Sequence, residues 1–345
     1  MSDYKKNINS SALDKLNKVI KQLPDYCKYY FNAKSNTLAP RTRLAYAEDL
    51  EIFFYYLTQT FPEYTDIKEI PISLLNSLKS TDIDDYMRFL ERYEYKGNIY
   101  ENNIQGKKRK LAALRELYKL FVKIDLSPAN PAQLVDTPKE SSGVRKSIVR
   151  LEAHEKVELI KEVSSEEGLS KKQLEMKRLL EDRDKAILLL FLGTGLRVSE
   201  LVGLDVEDVN LDFQYLFVIG KGNKNKEHFF NAEVKDCLEY YLECVRPTLI
   251  KDKSEPAFFL SRRGTRLCVR SVEYLVDKYS RRNANVTTIS PHKLRSTYGS
   301  DLLAATGDIA LVSDNLSHSD ISTTKRYYMA EDKERLRKNK DFNIF

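Results

Sequence analysis

Arg197 and Glu200 lie three residues apart, where an apolar segment ends at Gly193-Thr194-Gly195 and a new helix is predicted to begin. Side chains at this spacing share one face of a helix. A guanidinium that a carboxylate orients can bind a phosphate through two parallel hydrogen bonds. The same pair is also typical of an ordinary helical salt bridge, so both interpretations stay open for the pair alone.

A second arrangement of this kind occupies residues 290–295. Ser290 is predicted to cap a helix, with Pro291 as the first helical residue. His292 and Arg295 would then share a face near a helix N-terminus, where the helix dipole favours anions. This pattern indicates a phosphate pocket, and it is also compatible with a capped surface helix.

Further groups that could act on a phosphate are single residues. Lys221 lies at the tip of a predicted hairpin, His318 follows Leu316-Ser317, and Tyr327 and Tyr328 are adjacent. A lysine in a turn is usually solvated, a lone histidine is often structural, and the chain has 21 tyrosines. Each signal is therefore weak alone, and the order and spacing of the set carry the argument.

Helices are the main elements predicted to position these residues. Apolar residues at helical spacing predict helices in the first half within 11–32, from Pro40 onward, over 83–90 with Thr81 or Asp82 as cap, and from about Asn103 to Ile124. In the second half they predict helices over 152–164, 184–192, 197–204, 232–246 and 270–281. Tyr215–Ile219 and Glu227–Phe230 flank a Gly/Asn/Lys turn and predict one β-hairpin.

A polar stretch without periodicity divides the chain. It contains Pro128, Pro131 and Pro138 and continues to about Arg150, which is typical of an interdomain linker. We therefore predict an N-terminal helical domain over 1–137, a linker over 138–150 and a C-terminal domain over 151–345. The predicted fold class is mainly α with a small β-sheet.

The composition is that of a globular protein of about two domains, with 345 residues, 31% charged and 42% hydrophobic. Its apolar runs are shorter than the about 18 residues of a membrane span, and the N-terminus lacks the apolar region of a signal peptide. We therefore expect a cytoplasmic protein. Its net charge of +6 permits a nucleic-acid partner without requiring one.

We expect no cofactor. The four cysteines have no CxxC pair and no histidine at zinc-ligand spacing, so they are predicted to be reduced thiols. The sequence contains no GxxxxGK[ST] motif for ATP and no acidic constellation typical of a metal nuclease.

Taken together, these segments resemble the catalytic domain of the tyrosine recombinase (phage integrase) family. The family signature is an Arg, a Lys in a β-hairpin, a His-x-x-Arg box, a His or Trp, and a nucleophilic Tyr. The matching residues, in chain order, are Arg197, Lys221, His292, Arg295, His318 and Tyr327. The interval of nine residues between the last two is typical of the bacterial Xer members.

The resemblance extends over about residues 25–335. Residues 37–50 resemble the opening helix of the family's core-binding domain, and residues 130–139 resemble its exit. The implied architecture is a two-domain clamp, with an N-terminal helical core-binding (SAM-like) domain and a C-terminal catalytic domain. The N-terminal extension and the charged insert around Ser164–Arg183 resemble the single-recombinase Xer branch. Ser296, Ser317 and Tyr328 depart from the family pattern, and Tyr328 is a competing nucleophile.

The resemblance implies a role for each matched residue. Arg197, Arg295 and His318 would hold the phosphate oxygens. Tyr327 would attack, giving a 3′-phosphotyrosine, with His292 as proton acceptor and Lys221 as proton donor to the 5′-oxygen. Glu200 would orient the arginine. The intermediate keeps the energy of the broken bond, so the implied reaction uses neither ATP nor a metal ion.

The implied partners are double-stranded DNA and three further copies of the chain, as a homotetramer on two recombination sites; an accessory protein is left open. The cations predicted to face DNA phosphates are Arg41, Arg43, Lys107, Lys108, Arg109, Lys110 and Arg115, and a solvated basic face is the alternative. Phe342–Phe345 could dock into a neighbouring subunit or pack on its own domain.

The implied function is site-specific recombination, for chromosome-dimer resolution, integration and excision, or DNA inversion. A catalytically inactive, sequence-specific DNA-binding protein on the same fold is the alternative. A topoisomerase IB-like monomer is a second alternative, which the likeness to the core-binding domain disfavours.

Overall fold

The computed structural model describes residues 3–139, 150–219, 225–283 and 289–316. Residues 3–139 belong to one compact unit and residues 150–316 to another. Both units are mainly helical, and each contains a small antiparallel sheet. The predicted fold class is therefore confirmed. Most of the predicted linker lies outside the described residues, so the predicted domain bounds remain predictions.

The N-terminal unit is a helix bundle with one hairpin. Its elements are α1 (Asp3–Ile20), α2 (Cys27–Ala33), α3 (Pro40–Thr60), α4 (Ile72–Ser77), α5 (Ser80–Phe89), β1 (Tyr93–Tyr95), β2 (Asn98–Tyr100) and α6 (Ile104–Lys123), followed by a 3₁₀ turn at Pro131–Gln133. Helix α3 packs against both α1 and α6. Buried aromatic side chains, among them Phe53 and Tyr86 with ring centroids 5.1 Å apart, fill the core.

The helix starts predicted for this unit are largely confirmed. Pro40 is the first residue of α3, and Asn103 caps α6 by accepting a hydrogen bond from the Gly106 N–H at 2.8 Å. Helix α5 instead begins at Ser80, and the Asp82 carboxylate reaches back to the Lys79 N–H at 2.7 Å. The apolar pattern over 11–32 forms two helices rather than one, with Pro24 between α1 and α2, where proline removes a backbone donor.

Asp49 joins α3 to α6 by a buried ionic contact. Its side chain is 1% exposed and lies 2.8 Å from the Lys110 ammonium, which is also buried. The Arg109 guanidinium reaches the same carboxylate from the more exposed side, at 2.9 Å. A buried charge is costly unless it is paired and hydrogen-bonded. Asp49 therefore fixes the first turns of α6 against α3.

The C-terminal unit is built around one long helix. Its elements are α7 (Ala153–Ser164), α8 (Lys171–Thr194), α9 (Val198–Leu201), β3 (Val209–Asn210), β4 (Tyr215–Ile219), β5 (Asn225–Phe229), α10 (Ala232–Tyr240), a π-helical turn (Tyr241–Val245), α11 (Arg246–Leu249), α12 (Val269–Arg282), α13 (Pro291–Thr306) and α14 (Ile309–Asn315). Helix α8 packs against α7, α10 and α13, and its second half is almost entirely buried.

Helix α8 is much longer than the predicted 184–192. Part of the charged insert forms its first half, which begins where the Gln173 side chain accepts a hydrogen bond from the Ser170 N–H at 2.9 Å. The predicted hairpin is confirmed as β4 and β5, and β3 adds a short third strand in the order β3-β4-β5. Pro291 starts α13 as predicted, although the Ser290 side chain makes no capping hydrogen bond.

No helix in the described ranges combines the length and the apolar character that a membrane span requires. All four cysteines are free thiols; Cys27 is buried, and Cys244 and Cys268 are exposed.

Replacing Asp49 by Asn should lower the free energy of unfolding by about 3 kcal/mol, because it leaves the Lys110 ammonium buried without its carboxylate. Urea denaturation of the full chain measures this change. Asp85→Asn, which removes an exposed partner of Arg88, is the matched control and should change stability little. Adding Lys110→Met to Asp49→Asn should recover part of the loss; a double variant as unstable as the single one would contradict the role given to this pair.

Candidate active site

A left-handed glycine places the first arginine of the site. Helix α8 ends at Thr194, and Gly195 follows with φ +62°, its N–H donating to the Phe191 carbonyl at 2.9 Å. A Cβ at this position would lie 2.3 Å from the Tyr298 ring. Both the backbone angle and the approach of Tyr298 therefore require glycine. The turn brings Arg197 to the start of α9.

Glu200 holds Arg197 at two points. One carboxylate oxygen accepts from the Arg197 backbone N–H at 2.8 Å, and the other accepts from its guanidinium at 2.7 Å. Glu200 is buried, whereas the Arg197 side chain is 36% exposed. The carboxylate thus fixes the direction of a guanidinium that stays accessible to a ligand.

Arg295 on α13 is the buried partner in this cluster, at 4% exposure. Its guanidinium donates to the Gly195 carbonyl at 2.7 Å and to the Leu316 carbonyl. It also lies 3.9 Å from the Glu200 carboxylate. The Arg197 guanidinium approaches the same Leu316 carbonyl at 3.4 Å. The two arginines, almost 100 residues apart in sequence, therefore lie close together and share a carboxylate and a carbonyl.

His292 lies one turn before Arg295 on α13, near the helix N-terminus. Partial burial, followed by the positive charges of Arg295 and Arg197, lowers its pKa. Its imidazole is therefore neutral at neutral pH and can accept a proton. This state is the one that a general base needs.

The hairpin contributes two residues that the sequence prediction missed. Lys226 and His228 alternate with exposed residues along β5 and point toward the interior of the unit. His228 is buried, and desolvation, followed by the charge of Lys226, lowers its pKa to about 4. The sequence did carry a signal for them. Lys226 and His228 are two residues apart and pair with the apolar Val218 and Leu216, which indicates that they share the buried face of the hairpin.

Other predicted site residues lie outside the described residues. These are Lys221, His318 and Tyr327, together with the departures Ser317 and Tyr328. Ser296 is described, and its hydroxyl donates to the His292 carbonyl at 3.1 Å, one turn back along α13. In the parts of the chain that the structure describes, no group of three or more His, Cys, Asp or Glu could hold a metal ion.

Two of the predicted DNA-contacting cations make contacts within the N-terminal unit, and for the buried Lys110 the prediction needs correction. The Lys110 ammonium is buried against Asp49. The Arg115 guanidinium donates to the carbonyls of Ala132 and Val135, the second at 2.5 Å, and to the Thr137 hydroxyl. Lys110 therefore points into the core of the N-terminal unit, and the half-buried Arg115 is held by three acceptors of that unit.

The other predicted cations remain accessible to different degrees. Arg41 is exposed, and Arg43 is half-buried with its Nε atom lacking a hydrogen-bond partner among the described residues. Lys107 pairs with the exposed Glu91 at 3.0 Å, and Arg109 is 52% exposed beside Asp49. Lys108 has no ion pair within the described ranges and is half-exposed.

Comparisons with known proteins relate this chain to one family. The model of the phage integrase family matches residues 145–335. A tyrosine recombinase XerC of Leptospira interrogans is 31% identical over 337 residues, covering 98% of this chain and 96% of the relative. A tyrosine recombinase XerC of Caldanaerobacter subterraneus subsp. tengcongensis is 34% identical over 90% of this chain and 83% of its own.

Solved structures show the same fold at lower identity. A XerH site-specific recombinase bound to a palindromic difH substrate matches with a TM-score of 0.66 and 17% identity, over 95% of this chain and 88% of that one. A lambda integrase dimer bound to a COC′ core site matches with a TM-score of 0.63 and 15% identity, over 89% and 94%. The chain therefore belongs to the phage integrase family. Its relatives over nearly the full length place it with the Xer tyrosine recombinases, and it is Xer-like.

Replacing Glu200 by Gln should destabilise the protein by about 3 kcal/mol, because the buried Arg295 loses its nearest carboxylate. The same change should loosen Arg197, which keeps its charge but loses its orientation. Thermal and urea unfolding measure the first effect. Glu207→Gln, at an exposed position close in sequence, is the control, and equal stability of the two variants would contradict the assigned role of Glu200.

Proposed function

We propose that the protein is a site-specific tyrosine recombinase that cleaves and rejoins double-stranded DNA through a 3′-phosphotyrosine intermediate. The observation that carries this proposal is the Arg197–Glu200–Arg295 cluster, in which Glu200 and the buried Arg295 hold an accessible Arg197, in a chain of the phage integrase family. The relatives named XerC and the DNA-bound XerH and lambda integrase structures support the choice of DNA as substrate.

The arginines supply the charge that phosphodiester exchange requires. Negative charge develops on the non-bridging oxygens in the transition state, and fixed cationic donors stabilise it without reorganisation. Arg197 and Arg295, with His318 from the C-terminal segment, are proposed to hold these oxygens. Because side chains provide this charge, the proposed reaction uses no metal ion. It uses no ATP because the phosphotyrosine bond keeps the energy of the broken phosphodiester.

The proton transfers are assigned to the remaining residues. Tyr327 attacks phosphorus, the bond to the 5′-oxygen breaks, and that oxygen leaves as a hydroxyl. A tyrosine with an ordinary pKa of about 10 needs an acceptor for its proton, and His292 is the proposed acceptor because its neutral form predominates. Lys221 is proposed to give the leaving oxygen its proton. In the reverse direction the same groups rejoin the strand.

We extend the proposal to a homotetramer that holds two DNA sites, with two protomers on each. Two sites must be aligned for strands to be exchanged between them. The closing segment Phe342–Phe345 is the proposed contact between neighbouring subunits and lies outside the described residues.

The test is a trap for the covalent intermediate. Full-length protein is mixed with nicked DNA, from which the strand released by cleavage diffuses away, and denaturing gels reveal a protein–DNA adduct. We expect an adduct with the wild type and with Tyr328→Phe, and none with Tyr327→Phe. Fragments from the regions flanking the gene and from the chromosome-dimer resolution region report which biological role applies.

The other outcomes of this trap are equally informative. Loss of the adduct only with Tyr328→Phe would move the nucleophile by one residue. Specific, tight binding without any adduct would favour the catalytically inactive DNA-binding protein.

We also expect the accessible cations of the N-terminal unit to contribute to DNA affinity. Arg41→Glu combined with Lys108→Glu should weaken DNA binding by about tenfold or more at moderate salt, because two phosphate contacts become repulsive. Binding is measured by titration of labelled duplex at several salt concentrations. Arg88→Glu, a charge reversal on α5 of the same unit, is the control, and equal affinity of both variants would refute the proposed contact face.

A further inference from the structure

Strand β5 presents one lysine inward, toward the arginines of the site. Lys226 pairs across the sheet with Val218, and His228 pairs with Leu216. Both hydrophobic partners are buried, and Asn225, Glu227 and Phe229 on the opposite face are exposed. Because side chains alternate along a strand, Lys226 shares the inner face with His228. A cation at an inward strand position needs charged neighbours.

The charged neighbours of Lys226 that the structure describes come from α9, α13 and α14 and the residue before α9. The charged groups that act on Lys226 are Arg197 before α9, Glu200 on α9, Arg295 on α13 and Asp314 on α14. His228 lies on the same strand and is neutral at neutral pH. Among the described residues, Lys226 and the two arginines thus lie near two carboxylates, which gives these five groups a net charge of +1. A phosphodiester carries one negative charge and would balance it.

This inference rests on the proposed recombinase reaction and deepens it. We propose that Lys226 is a further catalytic residue, a third cation that contacts a non-bridging oxygen of the scissile phosphate beside Arg197 and Arg295. Its role differs from that of Lys221, to which the proton transfer is assigned. Lys226 holds charge throughout the reaction and neither gives nor takes a proton during the exchange of the bond.

The charge of Lys226 changes within a readily tested pH range. Its half-burial, followed by the charges of Arg295 and Arg197, lowers its pKa to about 8, against the opposing effect of Glu200 and Asp314. In the DNA-free protein the ammonium predominates below this pH, and about one-tenth remains at pH 9. A phosphate anion favours the charged form. Capture of DNA should therefore weaken as the pH rises through about 8.

The experiment uses the nicked-DNA trap with the full-length protein and three variants. Lys226→Met keeps most of the length of the side chain without its charge, Lys226→Arg keeps a charge that does not titrate in this pH range, and Lys253→Met removes an exposed lysine of the same unit. Adduct formation is followed with DNA limiting, from pH 7 to 9.5, because the second-order rate constant reports the pKa of the free protein. Thermal unfolding of each variant checks that it is folded.

We expect Lys226→Met to slow adduct formation by about 10²-fold at pH 7, the usual loss for one charge-stabilising donor, while Lys253→Met matches the wild type. Lys226→Arg should retain most of the activity, and its rate relative to wild type should rise as the pH passes 8. A Lys226→Met rate equal to that of Lys253→Met would overturn the proposal. So would parallel pH profiles of Lys226→Arg and wild type.

A DNA substrate with sulfur in place of the leaving 5′-oxygen separates the two lysines. A thiolate leaves without a proton, so this substrate should rescue Lys221→Met and leave Lys226→Met slow. Rescue of Lys226→Met would make Lys226 the proton donor and overturn its assignment as a phosphate-holding cation. If wild-type protein forms no adduct, the recombinase proposal itself fails, and the inference about Lys226 falls with it.

Discussion

The buried guanidinium of Arg295 is the contact on which the candidate site depends. It joins the turn after α8, through the Gly195 carbonyl, to the end of α14, through the Leu316 carbonyl, and lies beside Glu200. A buried cation without such partners would destabilise the fold by several kcal/mol. The stability of the unit and the geometry of the pocket therefore rest on the same hydrogen bonds.

This arrangement also prepares the site before a ligand arrives. Glu200 and the backbone carbonyls fix both arginines, so that binding of a phosphate need not order them. The cost is electrostatic, because cations gathered from α9, α13 and β5 repel one another. The pKa values of Lys226, His228 and His292 are lowered first by burial and then by this repulsion. Electrostatic strain of this kind is relieved by an anion, which is the property expected of a phosphate site.

The sequence predicted helix starts and the hairpin turn well, because these features depend on a few neighbouring residues. Pro40 and Pro291 begin helices because proline fits the first helical position, and the Gly/Asn/Lys turn joins β4 to β5. The extent of α8 could not be predicted in the same way. Its first half is highly charged and lacks a clear apolar stripe, and packing of its second half supports the whole helix.

Within the site, spacing placed Arg197 with Glu200 and His292 with Arg295, but only tertiary structure brought the two pairs together. Lys110 was predicted to contact DNA because it follows three other cations in the sequence. It lies four residues before Leu114 and seven before Leu117, on the buried stripe of α6, and this periodicity was a readable sign that it points inward. Arg115 gave no comparable signal, because its partners are backbone carbonyls more than 15 residues away.

Lys110 and Arg115 make their contacts within the N-terminal unit, and this lowers the salt dependence expected for DNA binding. Each phosphate that a cation neutralises releases counterions and contributes about 0.9 to the slope of log affinity against log salt. If α6 faces the DNA backbone, the five cations predicted on it would suggest five such contributions, but only Lys107, Lys108 and Arg109 are accessible enough to make them. Lys110 and Arg115 instead hold α6 against its neighbours within the N-terminal unit, and added salt screens the buried Lys110–Asp49 pair far less than an exposed contact.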